Sequence, residues 1–265
     1  MKIKTALLWA TKTLNKTNSP ELDAEILLAF VLKKNKKWLF LYPQKNLTKI
    51  QEAKFKKLAS QRAKFFPIAY LTSEKEFYGF NFKITPNVLV PRPLTENLID
   101  RALDFIKNNK KCPLTITDIG TGSGCLIIVL AKKLAETENL KNFKFYATDI
   151  SSKALAVAKK NAKLHSLSKN IKFYQGDLLK PLLNKKIDLI LTNLPYLTKN
   201  HFKKEKSIQK EPKVALVGNL YKKLFSLAQK LKTPVTIIYE DLKGIHQKNF
   251  NHWIYPNHLR RFLNF

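Results

Sequence analysis

A glycine-rich loop contains the first residues whose types and order suggest a binding site. It is Gly120-Thr121-Gly122-Ser123-Gly124, and Asp118 stands just before it, at the end of a short apolar stretch. Glycines let the backbone approach a ligand closely at a strand end, where open α/β sheets bind ligands. The spacing differs from the dinucleotide fingerprint, and an acidic residue suits an amine-bearing ligand better than a pyrophosphate. The loop therefore favours S-adenosylmethionine, with a plain strand-to-helix turn as the alternative.

Acidic residues also stand at the ends of the next two predicted strands. Asp149 can accept hydrogen bonds from both ribose hydroxyls of a nucleoside, or it can cap the following helix. Asp177 follows Gly176 and can accept from an adenine amino group, with Leu178 packed nearby, or it can belong to a simple turn. Such signals at three successive strand ends together favour a nucleoside-bearing cofactor.

The fourth predicted strand ends in Asn193-Leu194-Pro195-Tyr196. The Asn193 amide oxygen and the carbonyl of Leu194 can both accept hydrogen bonds from a planar –NH2 group, and Tyr196 offers a flat face on which the target can stack. Two acceptors would hold an amide or exocyclic amine nitrogen and stabilise the positive charge that grows on it during methyl transfer. The alternative is a strand-exit turn that contains proline.

The elements that must position these residues alternate between strand and helix from residue 114 onward. Such alternation predicts βαβ units and a parallel, doubly wound sheet covered on both faces, as in Rossmann-like α/β proteins. The predicted strands are Leu114–Ile119, Phe143–Thr148, Ile171–Tyr174, Ile187–Thr192 and Pro234–Tyr239, and the predicted helices are Cys125–Ala135, Ser152–His165 and Leu220–Leu231.

The first 70 residues carry a helical pattern instead. Ser19-Pro20 predicts the N-cap and first residue of a second helix, and Thr48-Lys49-Ile50-Gln51 predicts a capping box at the start of a third. The stretch Phe77–Phe82 predicts a β-hairpin or an extended arm, and prolines follow it. We therefore predict a helical domain over 1–72, a hairpin and linker over 73–92, and a catalytic domain over 93–265.

These motifs together resemble the peptide chain release factor glutamine methyltransferases of the PrmC/HemK type. The resemblance covers nearly the whole chain, and the linker and the Asn193 motif are its most specific parts. Besides the loop and strand-end motifs, it rests on residues 22–28 (LDAEILL), 62–63 (RA), 67–70 (PIAY), 76–79 (EFYG), 90–96 (VPRPLTE), 211–212 (EP) and 215–216 (AL).

The resemblance implies a class I methyltransferase fold that takes S-adenosylmethionine as the methyl donor. Its acceptor would be the glutamine of the Gly-Gly-Gln loop in class-1 release factors, and the helical domain would help to dock that partner. The implied cofactor contacts are Gly120, Thr121, Gly122, Ser123, Gly124, Asp149, Asp177, Leu178 and Asn193. The implied acceptor contacts are Asn193, Leu194, Pro195 and Tyr196, and the catalytic group is Asn193, Pro195 and Tyr196.

The chain departs from the family's pattern at a few positions. Leu194 replaces the first proline of N-P-P-Y, which predicts a less rigid turn, although the backbone carbonyl can still serve. Leu94 replaces a glutamate in the linker, and Ser73 stands where the family has glycine. The stretch after Leu216 and the tail from Gly244 are shortened. We expect these departures to affect rate and substrate fit more than the fold.

Composition excludes several classes of protein. No apolar run is long enough to span a membrane, and the N-terminus lacks the apolar core of a secretory signal. With two cysteines, Cys112 and Cys125, the chain predicts no disulfide scaffold and no metal site, which fits a cytoplasmic protein. The net charge is +30, but five of the 49 basic residues are arginine, so lysine-rich composition drift competes with nucleic-acid binding as its origin. We expect non-specific attraction to polyanions.

Two other functions compete with this interpretation. An adenine-N6 methyltransferase that acts on ribosomal RNA or DNA is favoured by the charge and by Leu194, because Asn-Leu-Pro-Tyr also occurs in ribosomal RNA adenine dimethyltransferases. A methyltransferase fold that has lost catalysis and only binds a translation partner is the second. The helical domain and the linker argue against the first, and the intact loop, Asp149 and Asn193 argue against the second.

Overall fold

The computed structural model describes residues 1–109 and 111–250, and these form two compact units. One unit is Met1–Glu74 together with Lys203–Lys210, and the other is Lys75–Phe202 together with the described residues from Glu211 onward. Residues 251–265, the end of the predicted catalytic domain, lie outside the described residues.

The first unit is helical, as the sequence predicts. Its core is formed by apolar residues on the inner faces of the helices, among them Ile3, Leu27, Leu28 and Phe55, all fully buried. The sequence analysis did not identify the two shortest helices, α3 and α5. The five helices are α1 (Ile3–Thr13), α2 (Pro20–Leu32), α3 (Lys36–Leu41), α4 (Lys49–Ala63) and α5 (Ile68–Thr72).

The helix caps in this unit follow the sequence signals in one case and depart from them in another. The capping box at Thr48 is confirmed, because its hydroxyl accepts from the Gln51 amide while the Gln51 side chain accepts from the Thr48 amide. Pro20 is the first residue of α2, as predicted, but the Ser19 side chain makes no capping hydrogen bond. The fixed φ of the proline is therefore the local signal that starts this helix.

A two-stranded hairpin follows, formed by β1 (Glu74–Phe77) and β2 (Phe80–Lys83), and it confirms the predicted hairpin. Its turn residues, Tyr78 and Gly79, both have positive φ, at 53° and 77°. Positive φ at both central residues matches the twist of the flanking strands and closes a two-residue turn.

The second unit contains a six-stranded sheet in the order β5-β4-β3-β6-β7-β8. All neighbouring strands are parallel except the last pair, where β8 runs antiparallel to β7. The parallel strands are confirmed, but β8, which the chain reaches through a tight connection after Asp241, was not predicted. The strands are β3 (Leu114–Ile119), β4 (Phe143–Asp149), β5 (Ile171–Gln175), β6 (Leu189–Thr192), β7 (Val235–Asp241) and β8 (Gly244–Phe250).

Five helices complete the described chain. The helix α7 is buried along most of its length and packs against its neighbours α6 and α8. The helix α6 was not predicted, although its apolar residues Leu98, Ile99, Ala102 and Ile106 recur at helical spacing. The helices are α6 (Asn97–Lys107), α7 (Cys125–Thr137), α8 (Ser152–Leu164), α9 (Lys199–Lys204) and α10 (Tyr221–Ala228).

The strand order explains where a site can form. The chain runs outward from β3 through β4 to β5, and then returns to the other side of β3 to form β6. At such a switch point the connections diverge, so a crevice opens at the carboxyl ends of the strands.

Among the described residues, no helix has the length and apolar character needed to cross a membrane.

The charged segment Lys203–Lys213 is predicted to be a solvated loop, and its lysines are exposed. Its first part, Lys203–Lys210, groups with the helical unit. The Lys210 ammonium lies 5.2 Å from the centre of the Phe66 ring, and Gln209 donates to the carbonyl of Lys203. A cation over an aromatic face contributes a modest attraction. The sequence gives no signal for this contact, because 144 residues separate Lys210 from Phe66.

Candidate functional site

A cavity of about 410 Å³ opens at the carboxyl ends of β3, β4, β5 and β6. The structure brings together most of the residues that the sequence predicted for a site. Apolar residues from the loops after β2 and after α9 complete its wall. The predicted residues that line the cavity are Gly120, Gly122, Asp149, Asp177, Leu178, Asn193, Leu194 and Pro195.

The glycine loop reaches the cavity through backbone bonds to the neighbouring strand. The amides of Gly120 and Thr121 both donate to the carbonyl of Thr148 at 2.9 Å. Gly120 and Gly122 have φ of 73° and 54°, where residues with a Cβ are strained. A Cβ on Gly120 would also lie 3.0 Å from the Leu194 side chain. Glycine is therefore required at Gly120 for conformation and for packing.

Three predicted cofactor contacts do not belong to the described cavity wall. Gly124 caps α7 closely against α8, because a Cβ there would lie 3.1 Å from that of Ala158. The Ser123 carbonyl accepts from the buried side chain of Asn161, and the Thr121 hydroxyl donates to Asp118. These residues hold the loop in shape, and direct contact with a cofactor stays a prediction for them.

Asp118 lies beneath the loop and is buried. One carboxyl oxygen accepts from the Thr121 hydroxyl at 2.7 Å, and the other, Oδ1, is buried without a hydrogen-bond partner among the described residues. Burial raises the pKa of Asp118 to about 7. A buried acceptor without a partner costs free energy unless a donor reaches it. Asp118 does not belong to the described cavity wall, so an interaction of its Oδ1 with a ligand amine stays a prediction.

Asp149 lies at the end of β4 and contacts the loop directly. Its two carboxylate oxygens accept from the amides of Gly122 and Ser151, both at 2.9 Å. The N-cap of α8 is Ser151, whose hydroxyl accepts from the Ala154 amide. Asp149 is therefore not the helix cap that the alternative interpretation required. Each of its oxygens retains acceptor capacity for a ribose hydroxyl, and burial raises its pKa.

Asp177 and Leu178 line the next part of the wall. Two lysines hold the Asp177 carboxylate, Lys223 at 2.6 Å and Lys180 at 3.0 Å, and their hydrogen bonds lower the pKa of Asp177. Leu178 has a positive φ of 53°, and its carbonyl accepts from the Thr148 hydroxyl. An adenine amino group would share the Asp177 carboxylate with Lys223, a competitor that the sequence did not reveal.

The Asn193–Tyr196 motif follows β6 directly. The Asn193 Nδ2 donates to the Thr95 hydroxyl at 3.0 Å, and the Leu194 amide donates to the Tyr221 hydroxyl at 3.0 Å. Leu194 is buried among the apolar side chains of the core. Since proline has no amide hydrogen, the bond to Tyr221 exists because leucine stands at this position.

Tyr196 does not belong to the described cavity wall and packs against the same core. Its hydroxyl donates to a carboxylate oxygen of Glu240 at 3.0 Å. Burial, together with the charge of Glu240, raises the pKa of Tyr196, so the hydroxyl stays protonated as a donor. Stacking of its ring on an acceptor stays a prediction.

Three residues that support this motif were not predicted from the sequence: Thr95, Tyr221 and Glu240. Glu240 is 1% exposed, and it follows an apolar run that reads Val235-Thr236-Ile237-Ile238-Tyr239. A carboxylate at the end of a buried strand is rarely buried without partners. That position was the available signal, whereas Thr95 and Tyr221 carry none by themselves.

Two known protein families match different parts of the chain. The PrmC N-terminal domain family matches residues 5–72, and a methyltransferase domain family matches residues 110–262. A solved structure of the hMettl16 catalytic domain, in complex with a MAT2A 3'UTR hairpin, has a TM-score of 0.50 and 17% sequence identity. The similarity covers 82% of this chain and 78% of that one. It shows the methyltransferase fold.

Relatives that match nearly the whole chain identify its family. A release factor glutamine methyltransferase of Dictyoglomus turgidum is 38% identical over 259 residues, which cover 94% of this chain and 88% of the relative. The enzyme of the same name from Bacillus anthracis is 34% identical over 270 residues, covering 95% and 93%. At this identity and coverage, with a cavity built at the strand ends where the family motifs lie, the chain belongs to the release factor glutamine methyltransferase family.

Proposed function

We propose that this protein transfers a methyl group from S-adenosylmethionine to the side-chain amide nitrogen of the glutamine in the Gly-Gly-Gln loop of class-1 peptide chain release factors. The observation that carries the proposal is the 38% identity over 94% of the chain to a relative that bears this activity in its name. The cavity geometry supports it, because groups suited to both substrates line one crevice.

The residues at the glycine-loop end fit the cofactor. When bound, S-adenosylmethionine supplies an electrophilic methyl group on a sulfonium. Because Gly120 and Gly122 have no side chains, the cofactor would fit close to the backbone there. Asp149 would accept hydrogen bonds from its ribose hydroxyls. The orphaned Oδ1 of Asp118 is the structural observation that matches an amine, whether the amine reaches it directly or through a water.

The acceptor end would hold the glutamine amide. The nitrogen of an amide is a poor nucleophile because its lone pair is delocalised into the carbonyl. The Asn193 Oδ1 and the Leu194 carbonyl would accept from its two hydrogens, so that the nitrogen faces the methyl group. The same acceptors stabilise the positive charge that develops on nitrogen, and the proton then released passes to solvent.

An adenine amine presents a similar planar –NH2 group, so the Asn193 motif by itself does not distinguish the two acceptors. The full-length relatives favour glutamine, because they are named for it and include the N-terminal domain. The likeness to the hMettl16 domain bears on the fold alone. We further propose that residues 1–72 dock the release factor, that 93–265 form the catalytic domain, and that the reaction takes place in the cytoplasm.

The test is to incubate the protein with methyl-labelled S-adenosylmethionine and, in separate samples, a purified class-1 release factor, ribosomal RNA and DNA. We expect label in the release factor, and none in a release factor whose loop glutamine is changed to alanine. Label in nucleic acid with none in the release factor would overturn the proposal and establish the adenine activity. Label in neither, with cofactor bound normally, would establish that the fold only binds.

A further inference from the structure

A continuous set of buried side-chain hydrogen bonds runs behind the Asn193 motif. The Asn193 Nδ2 donates to Thr95 Oγ1 at 3.0 Å, and Thr95 Oγ1 donates to Glu240 Oε2 at 2.7 Å. The Tyr196 hydroxyl donates to the other oxygen, Oε1, at 3.0 Å. Thr95 is 4% exposed and Glu240 is 1% exposed, so water does not replace these partners.

The direction of these bonds is fixed by chemistry. Two hydroxyls donate to the two oxygens of Glu240, which is the pattern of an ionised carboxylate, an acceptor only. Thr95 has one hydroxyl hydrogen, which it donates to Glu240. Its oxygen can therefore only accept a hydrogen bond from Asn193. Asn193 must therefore present Nδ2 to Thr95, and its Oδ1 is the end of the amide that is not used there. The Glu240 carboxylate thus determines the orientation of the Asn193 amide through two successive hydrogen bonds.

A second connection reaches the backbone of the motif. The Tyr221 hydroxyl accepts from the Leu194 amide at 3.0 Å and donates to the main-chain carbonyl of Glu240. The parallel register pairs Thr192 with Tyr239, so Asn193 and Glu240 each follow a paired residue at the same edge of the sheet. Glu240 therefore anchors the motif through its side chain and through its backbone.

We propose that Glu240, acting through Thr95, is a positioning residue that keeps the Asn193 Oδ1 directed at the acceptor amide. The inference rests on the proposed function and adds two residues to it. If the Asn193 amide were reversed, Nδ2 would meet the acceptor –NH2, and two donors would face each other. The orientation of the Asn193 amide is therefore essential, because a reversed amide cannot stabilise positive charge on the acceptor nitrogen.

The kinetic test uses Thr95→Val, which keeps the shape and removes the hydroxyl, and Glu240→Gln, which keeps the shape and adds a donor. We expect kcat for release-factor methylation to fall at least about tenfold in both, a part of the ~100- to 1000-fold that loss of such a group costs. The dissociation constant of the cofactor should stay within about twofold, and Thr95→Ser should restore most of kcat.

The matched control is Thr117→Val, because Thr117 is a buried threonine whose hydroxyl has no partner among the described residues. We expect it to leave kcat unchanged. Wild-type kcat in both Thr95→Val and Glu240→Gln overturns the positioning role. So does a loss of cofactor affinity that equals the loss of kcat, since this indicates general damage.

A second measurement does not depend on the acceptor. In nitrogen-15 NMR spectra, the Asn193 side-chain amide, assigned by its loss in Asn193→Asp, should show one hydrogen protected from solvent exchange. Its exchange should accelerate at least about tenfold in Thr95→Val, as expected when a buried bond opens. An unprotected Asn193 amide in the wild type overturns the inference. A wild type that methylates no release factor overturns the proposed function, while the exchange data still decide the orientation.

Discussion

The two ends of the cavity are held in different ways. At the glycine-loop end, backbone amides donate to Thr148 and Asp149, which lie one βα unit away in the chain. At the acceptor end, side chains bond to side chains, with Asn193 98 residues from Thr95 and Thr95 145 residues from Glu240. One end is thus built from local backbone geometry, and the other from contacts that only the folded sheet creates.

The largest effect we expect comes from Asn193→Ala. Because Asn193 is the side chain that we propose holds the acceptor amide, its loss should lower kcat ~100- to 1000-fold. Cofactor affinity and the fold should be largely kept, as calorimetry and circular dichroism can check. Asn108→Ala, an exposed helix-end asparagine, is the control. If Asn193→Ala turned over within a few-fold of wild type, Asn193 would not be the residue that holds the acceptor amide.

The second prediction concerns the glycine-loop end. Asp149→Ala removes the carboxylate that would pair with the ribose, and each lost bond to a buried group costs ~1–3 kcal/mol, so cofactor affinity should fall at least tenfold. Isothermal titration of the variant and of Asp104→Ala, an exposed control on α6, measures this. Equal affinity in wild type and Asp149→Ala would remove Asp149 from the site.

The third prediction is a pH dependence of stability. The folded-state pKa of Asp118 is about 7, above its value of 3.8 in the unfolded chain, so the folded state binds the extra proton. Stability from this group is therefore fully present below about pH 3.8, falls as pH rises toward 7 and is level above it, with a loss on the order of 1 kcal/mol between pH 6 and 7. Asp118→Asn cannot titrate, so its advantage over wild type in urea unfolding should grow with pH. Parallel pH curves for the two proteins would contradict this.

The smallest effect should come from Tyr221→Phe. It removes one donor to Glu240 and the acceptor for the Leu194 amide while the ring remains, and a neutral bond contributes about 1 kcal/mol. We expect kcat to fall about fivefold with cofactor affinity unchanged. Tyr239→Phe is the control, because its ring packs 4.9 Å from that of Tyr221 and its hydroxyl makes no hydrogen bond within the described residues. Equal rates in the two variants would place the support for Leu194 elsewhere.

The same contrast explains what the sequence could predict. Gly120, Asp149 and Asn193 follow strands, and parallel strands deliver their ends to one edge, so their meeting could be predicted from alternation alone. The partnership of Thr95 with Glu240 depends on how a short 3₁₀ turn, Pro93–Glu96, packs on the end of β7, and no local pattern encodes it. The antiparallel strand β8 was missed because its stretch, Gly244–Phe250, is polar and lacks an apolar alternation.

Leu194 shows how a residue that departs from the family's motif can depend on its neighbours. Its amide donates to the Tyr221 hydroxyl, and its side chain lies 3.0 Å from the position that a Cβ on Gly120 would take. Proline at this position would remove the amide hydrogen and leave the Tyr221 hydroxyl without that donor. Position 194 is therefore epistatic with two residues outside its motif, and we expect that a change to proline would require compensating changes at both.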